Sequence, residues 1–364
     1  HRYARLDYAK EFALNEAGIP VPKAFGVKTV EASDLVDYSW FDASKSEYTI
    51  TTAAQLEAFH VLCNGQNDYF SGKTVKLGAD ISMNEGDAVN WAAAAPAKIW
   101  TPVSFSGTFD GQGHTISGLY VNSTKQYTGM FSTVNSGAAV KNLKLVNSYI
   151  EGNGTQTRSG VGSIAGRSHG TIDTVYSSAI VKNSKQMTGG IVGMITGAGE
   201  NLITNCWFNG QIDSIDGTGG ILGSSYGQCA VIEHCLNTGK LKVNSGSQVG
   251  GLCGYVQGAA NVTITDSLSA AELSAAEGVK QIGAIVGSVH KSGTLVLTNA
   301  YGVKDFALKS IGYISSGSVT DNGSAVNDLE DIKSYGAYQR TALDFEGGHW
   351  VLKKDAIPAL NVFD

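Results

Sequence analysis

A glycine followed by an apolar pair recurs through the middle of this chain. It stands at Gly129-Met-Phe, Gly162-Ser-Ile-Ala-Gly, Gly189-Gly-Ile-Val-Gly, Gly219-Gly-Ile-Leu-Gly, Gly250-Gly-Leu-Cys-Gly, Gly283-Ala-Ile-Val-Gly and Gly312-Tyr-Ile-Ser. The seven anchors lie 33, 27, 30, 31, 33 and 29 residues apart. Strands keep phase in such a pattern while the turns between them vary in length. A period near 30 residues selects solenoids and propellers before any other architecture. Short apolar runs without helical periodicity choose the β-solenoid, with one unit per coil. The expectation is an all-β chain, a right-handed parallel β-helix of about 7–9 coils with short helical caps. Coils stacked about 4.8 Å apart would make a rod of about 35–45 Å. Phe131, Ile164, Ile191, Ile221, Leu252, Ile285 and Ile314 are expected to share one interior column, with the glycines serving positive-φ turns and close backbone approach.

A second column lies in the other half of each unit. Leu143, Val175, Cys206, Cys235, Ser267 and Ala300 are small or apolar throughout, and the preceding Asn142, Thr174, Asn205, His234, Asp266 and Asn299 are polar throughout. This reads as the period-2 alternation of a half-buried strand. The prolines agree with it. Four occur by Pro102, the fifth is Pro358, and none lies between Val103 and Ile357. Proline cannot donate to a ladder and is kept out of central strands.

Composition excludes other classes. Glycine is 46 of 364 residues and charged residues are 16%, against about 25% charged in an ordinary soluble domain. Hydrophobic residues at 42% are enough for a core, which excludes general disorder. A net charge of −6, with arginine only at Arg2, Arg5, Arg158, Arg167 and Arg340, is not the footprint of a nucleic-acid binder. No apolar run is long enough to span a bilayer, so no direct membrane insertion is expected. No signal-peptide pattern follows His1, and the chain reads as an excised piece or a mature fragment from which targeting information has been cut away.

Ends need covers, because open sheet edges invite aggregation. Thr52-Ala-Ala-Gln55 is a capping box opening a helix through Cys63, with Leu56, Phe59 and Leu62 on one face. The organisation expected is an N-terminal arm or cap over 1–45, then the β-helix over 46–364. The latter includes a helical cap at about 52–64 and a C-terminal cap at about 328–364. Tyr3–Ala17 and Asp328–Tyr338 read as helices, and Trp350-Val-Leu as a last strand.

Tyr48-Thr-Ile-Thr-Thr-Ala-Ala-Gln-Leu, Phe70-Ser-Gly-Lys-Thr-Val-Lys-Leu-Gly-Ala-Asp-Ile, Trp100-Thr-Pro-Val and Phe105-Ser-Gly-Thr-Phe-Asp-Gly-Gln-Gly-His-Thr-Ile-Ser-Gly-Leu carry a family likeness. With the repeats, they resemble the GLUG-motif β-helix regions of bacterial cell-surface and secreted adhesin-like proteins. Such regions also occur beside immunoglobulin A1 metallopeptidase domains. The likeness covers about residues 47–364. It implies an extracellular or cell-surface module acting in adhesion or as a stalk, whose partners are a host glycan, a host protein or other domains of the same polypeptide. Glu16–Lys23 is similar to a short stretch of ATP-grasp enzymes, but no α/β pattern follows it to build a nucleotide site.

Chemistry-bearing motifs are sparse. No Walker loop, nucleophile elbow or His-Glu-x-x-His helix occurs, and we assign no catalytic residue, metal or cofactor. The five cysteines read as small hydrophobes, with a Cys206–Cys235 bridge the alternative. The rival function is a β-helix carbohydrate-active enzyme, a polysaccharide lyase or glycoside hydrolase, which needs clustered carboxylates beside a base. Asp173 and Asp266 are scattered, and Asp213 and Asp216 share one stretch that reads as a turn. Arg158, Arg167 and His169 form a candidate anion site. The position after the small interior column reads Lys144, Tyr176, Trp207, Leu236, Leu268 and Tyr301. It should point outward as an aromatic and apolar stripe, the candidate ligand-binding face.

Overall fold

The structure is a computed structural model that describes residues 12–14, 20–22, 36–65, 69–330, 343–345, 347–351 and 358–363. Almost every strand pairs in parallel with its equivalent one repeat away, giving a β-solenoid. One coil shows the pattern. Gln186–Gly189 lies in an overlay sheet, Val192–Ile195 in a spine sheet, Leu202–Thr204 with Trp207–Phe208 in a broad sheet, and Gln211–Ser214 in a flank sheet. The spine sheet has eight strands, one per coil, running from Val103–Phe105 to Ile311–Ile314. Eight rungs fall within the expected number of coils and make a ladder about 34 Å tall.

The recurring glycines sit where the chain turns from the overlay sheet into the spine sheet. A Cβ on Gly189, Gly219, Gly250 or Gly283 would strike the carbonyl of Val192, Leu222, Cys253 or Val286, three residues on. The glycine after each apolar pair, at Gly193, Gly223, Gly254 and Gly287, would strike the overlay strand's backbone, as Gly254 meets Thr218. Overlay and spine sheets therefore touch backbone to backbone, and only glycine leaves room. None of these eight glycines has positive φ, so close approach alone, not the expected left-handed turn, explains the repeat.

Left-handed backbone occurs elsewhere, at the polar column. Asn142, Thr174, Asn205, His234, Asp266 and Asn299 have φ of 52°, 53°, 49°, 51°, 47° and 48°. Each breaks its broad-sheet strand with a kink, and the kinks stack through six coils. Asn, Asp and His tolerate this region better than other L-residues. The polar column is thus a conformational requirement as well as an outward position. Asn142 Nδ2 donates to Asp110 Oδ1 at 3.0 Å, Asn205 Nδ2 to Asp173 Oδ1 at 3.2 Å, and Asn299 Nδ2 to Asp266 Oδ1 at 2.9 Å.

Inside, the column from Leu143 to Ala300 is fully buried as expected. Each large aliphatic member contributes about 1.5–3 kcal/mol by leaving water. Cys206 and Cys235 are free thiols within it, and burial pushes the Cys206 thiol well up. The other expected column holds from Ile164 to Ile285, linked by bonds such as Ile191 N to Ile221 O at 3.2 Å. Its ends need correction. Phe131 pairs with Ala165, so Met130 occupies the lower end, and Ile314 pairs with Val289 and is 49% exposed. At the first end the link from overlay to spine is one residue shorter, and at the last end Gly312 lies level with Gly287 rather than with Gly283.

Helix α1, Ala53–Cys63, covers the first coils. Thr52 Oγ1 accepts from Gln55 N at 3.2 Å, and Gln55 Oε1 accepts from Thr51 N at 2.8 Å, a reciprocal cap. Phe59 enters an aromatic cluster with Phe70, Phe105 and Phe109 at ring distances of 5.2, 5.6 and 5.4 Å. Trp40 and Phe41, from the segment expected to be an arm or cap, pack on Phe70 and Tyr48 in the same cluster. Of the helix expected over Tyr3–Ala17, Phe12–Leu14 is instead a strand antiparallel to Pro20–Pro22; the remainder lies outside the described residues. Most of the Asp328–Tyr338 helix also lies outside them. Trp350–Val351 is a strand, paired antiparallel with Ala359–Leu360. This strand pair and the residues after it lie against the outward face of the broad sheet, with Trp350 near Trp207 and Phe363 near Tyr176.

Candidate functional site

The outward stripe has the register expected of it. Lys144 pairs with Tyr176, Tyr176 with Trp207, Trp207 with Leu236, Leu236 with Leu268, and Leu268 with Tyr301. It is not open. Leu236 and Leu268 are fully buried, and the C-terminal Leu343, Trp350 and Leu360 are 1–2% exposed within the same apolar cluster. Trp350 lies 6.4 Å from Trp207 and Phe363 6.5 Å from Tyr176 between ring centroids. The Lys144 ammonium lies 5.6 Å from the Tyr176 ring and 5.9 Å from Phe363. Trp207 Nε1 donates to Thr238 Oγ1 at 2.8 Å. An apolar stripe on a strand's outer face still seeks burial, and the chain's own end supplies it. One polar contact lies within the cover itself. Asp344 accepts from His349, which holds its carboxyl below the usual range.

Arg158, Arg167 and His169 are not drawn into one site. Arg158 starts an overlay strand, and its guanidinium lies 4.8 Å from the Tyr226 ring, two coils on. Arg167 belongs to a spine strand and stacks 4.3 Å from Tyr127, one coil back. Its Nη2 donates to Thr133 Oγ1 at 3.3 Å, while its Nε is buried with no partner among the described residues. His169 follows in the same coil. Burial, and then the charge of Arg167, hold its pKa below the ordinary value.

The carboxylates are likewise spread over separate faces. Asp213 and Asp216 are strand residues rather than turn residues, one in the flank sheet and the other in the overlay sheet. Asp216 accepts from Ser247 N at 2.9 Å, Gly217 N at 3.1 Å and Gln186 Nε2 at 2.7 Å. Burial nevertheless raises its pKa. Among the described residues no group of three or more His, Cys, Asp or Glu is placed to hold a metal ion.

The flank sheet carries a site that the sequence reading missed. Its outward columns are Tyr149, Ile180, Gln211 and Lys240, and beside them Glu151, Lys182, Asp213 and Lys242. Tyr149 stacks on Tyr120 at 5.5 Å, and Trp91 meets Tyr120 edge-on at 6.1 Å. The segment carrying Trp91 is held by Asn147, whose Oδ1 accepts from Ala88 N at 2.9 Å. Val89, 58% exposed, rises from it as one wall. Between Val89 and the strands lies a half-open cleft of about 280 Å³, lined also by Lys182, Gln211, Asp213, Lys240 and Lys242. Lys242 pairs with Asp213 at 3.5 Å and Lys240 with Glu272 at 3.3 Å. Lys182 lies 5.5 Å from the Tyr149 ring and meets no carboxylate at ion-pair distance among the described residues. The signal in the sequence is charge alternating at one-coil spacing, at Glu151, Lys182, Asp213 and Lys242.

Comparison with known proteins bears chiefly on the fold. A solved structure from Bacteroides ovatus, provisionally named an immunoglobulin A1 protease, is similar over 87% of this chain and 92% of its own, with a TM-score of 0.62 and 19% identity. That likeness supports the solenoid. In sequence, the chain is 32% identical over 158 residues to halomucin of Haloquadratum walsbyi, covering 42% of this chain and 2% of halomucin. It is 29% identical over 137 residues to a protein of Evansella cellulosilytica provisionally named a Gly-rich membrane protein, covering 36% of this chain and 14% of that protein. The chain therefore spans a small fraction of either relative. No family model matches it. No helix among the described residues is long and apolar enough to cross a membrane.

Proposed function

We propose that this chain is a non-catalytic β-solenoid module of a surface or secreted bacterial protein of the GLUG-motif kind, serving adhesion or holding other domains away from the envelope. The observation that carries the reading is the uninterrupted eight-rung ladder. Its distinctive residues, the glycines at the overlay–spine contact and the left-handed polar column, serve stacking. The names of the similar proteins, halomucin among them, favour an extracellular setting. A host glycan, a host protein or a neighbouring domain would be the partner, with no nucleic acid and no cofactor. The rival, a β-helix enzyme acting on polysaccharide, would draw on Asp216, whose raised pKa suits a proton donor. The two readings part in one assay. The purified chain is incubated with a panel of neutral and acidic polysaccharides and with immunoglobulin A1, and new reducing ends, unsaturated uronides and peptide fragments are measured. No turnover is expected. Turnover lost in Asp216→Asn would overturn the reading in favour of the enzyme.

A further inference from the structure

Within the adhesive reading, we infer that the flank-sheet cleft is a binding site for a carboxylate-bearing saccharide unit. Three observations point there. The first is charge. Three lysines, Lys182, Lys240 and Lys242, line the cleft against one carboxylate, Asp213, with Glu272 beside Lys240 and Glu151 beside Lys182 at its margin, in a chain whose net charge is −6. Lysines gathered at one cleft of an anionic molecule give an anion a local partner that most of the surface does not.

The second is the unequal pairing of the lysines. Lys242 is held by Asp213 and Lys240 by Glu272. Lys182 lies over the Tyr149 ring face and, among the described residues, meets no carboxylate at ion-pair distance, with Glu151 and Asp213 one coil to either side. It is the cation to which a ligand carboxylate would bind. The third is the mixed lining. Ile180 and the exposed Val89 offer apolar walls to the C–H faces of a sugar ring, and Gln211 and Asp213 offer hydroxyl partners. The cleft, about 280 Å³, stands at the small end of ligand sites, whose volumes start at about 300 Å³. It suits one or two sugar units within a longer chain. Lys182 and Lys242 are two coils apart, about 10 Å along the rod, so an extended acidic glycan could engage both.

Titration calorimetry of the whole 364-residue chain against a galacturonate tetrasaccharide tests this, with maltotetraose, poly-L-glutamate and single-stranded DNA as comparison ligands. The expected result is saturable binding of the galacturonate, absent for maltotetraose. It should fall at least tenfold in Lys182→Gln and further in the double variant with Lys242→Gln, with an unchanged melting temperature. Arg158→Gln with Arg167→Gln should leave it intact. Equal binding of poly-L-glutamate or DNA would overturn the saccharide assignment in favour of a general polyanion surface. Loss in the arginine variant with retention in the lysine variants would move the site elsewhere, and absence of binding would remove it. Cleavage of the tetrasaccharide in the same cell would instead contradict the non-catalytic reading, so the two failures are distinguishable.

Discussion

The broad sheet and the flank sheet are built from the same coils, yet their outer faces have opposite fates. The broad sheet presents Tyr176, Trp207, Leu236 and Leu268, and the chain's own end lies over them, with Trp350 2% exposed. The flank sheet presents Glu151, Lys182, Asp213 and Lys242 and keeps a cleft open to solvent. Their backbones differ as well. The broad sheet is kinked at a left-handed residue in six successive coils, whereas no flank-strand residue has positive φ. Strand register decides which side chains point outward. Their chemistry decides whether that outside stays wet.

The sharpest way to break this contrast is to exchange the chemistry. Leu236→Asp would place an unpaired carboxylate under the cover and should cost about 5 kcal/mol by urea denaturation, from the stranded charge and the lost apolar burial. Gln211→Asp, outward on the flank, should stay within about 0.5 kcal/mol. Equal costs would show that the two faces do not differ as described. Removing the cover's anchor comes next. Trp350→Ala should cost about 3 kcal/mol and red-shift the emission of Trp207 as water reaches it. A smaller effect tests the kinks. Thr174 is a β-branched residue at φ 53°, and Thr174→Asn should stabilise the fold by about 1 kcal/mol.

The smallest effect expected is a pH dependence of the cover. His349 holds the Asp344 carboxyl below its ordinary value of 3.8. A depressed carboxylate contributes stability that is fully present above the unfolded value. That stability is lost as pH falls through the folded one. The C-terminal segment should therefore become more sensitive to pepsin as pH drops below about 3.8, and Asp344→Asn should be equally sensitive on both sides of that pH.

Much of the ladder is written in the repeat. The glycine spacing marks the coils, and the column from Leu143 to Ala300 marks the interior, because both express contacts between equivalent residues one coil apart. Phe131 and Ile314 stand out of column because the link after Thr128 is one residue shorter than the link after Val161, and because Gly312 is level with Gly287 rather than with Gly283. The stripe's register was legible and its burial was not. The cover comes from residues near Trp350 that carry no repeat, and no local pattern announces a contact with Trp207. The flank cleft escaped notice for another reason. Lys182, Asp213 and Lys242 look like isolated surface charges along the chain and become neighbours only when the coils stack. Asp213 also stands close to Asp216 in sequence, although the two strands carry them onto different faces.

The closed stripe and the open flank can be read together by hydroxyl-radical footprinting of side chains with mass spectrometry. In the intact chain, Leu236 and Leu268 should stay unmodified while Val89 and Lys182 react. Deleting residues 343–364 should make Leu236, Leu268 and Trp207 reactive without changing Lys182. Modification of Leu236 and Leu268 in the intact chain, at the rate of Val89, would contradict the account.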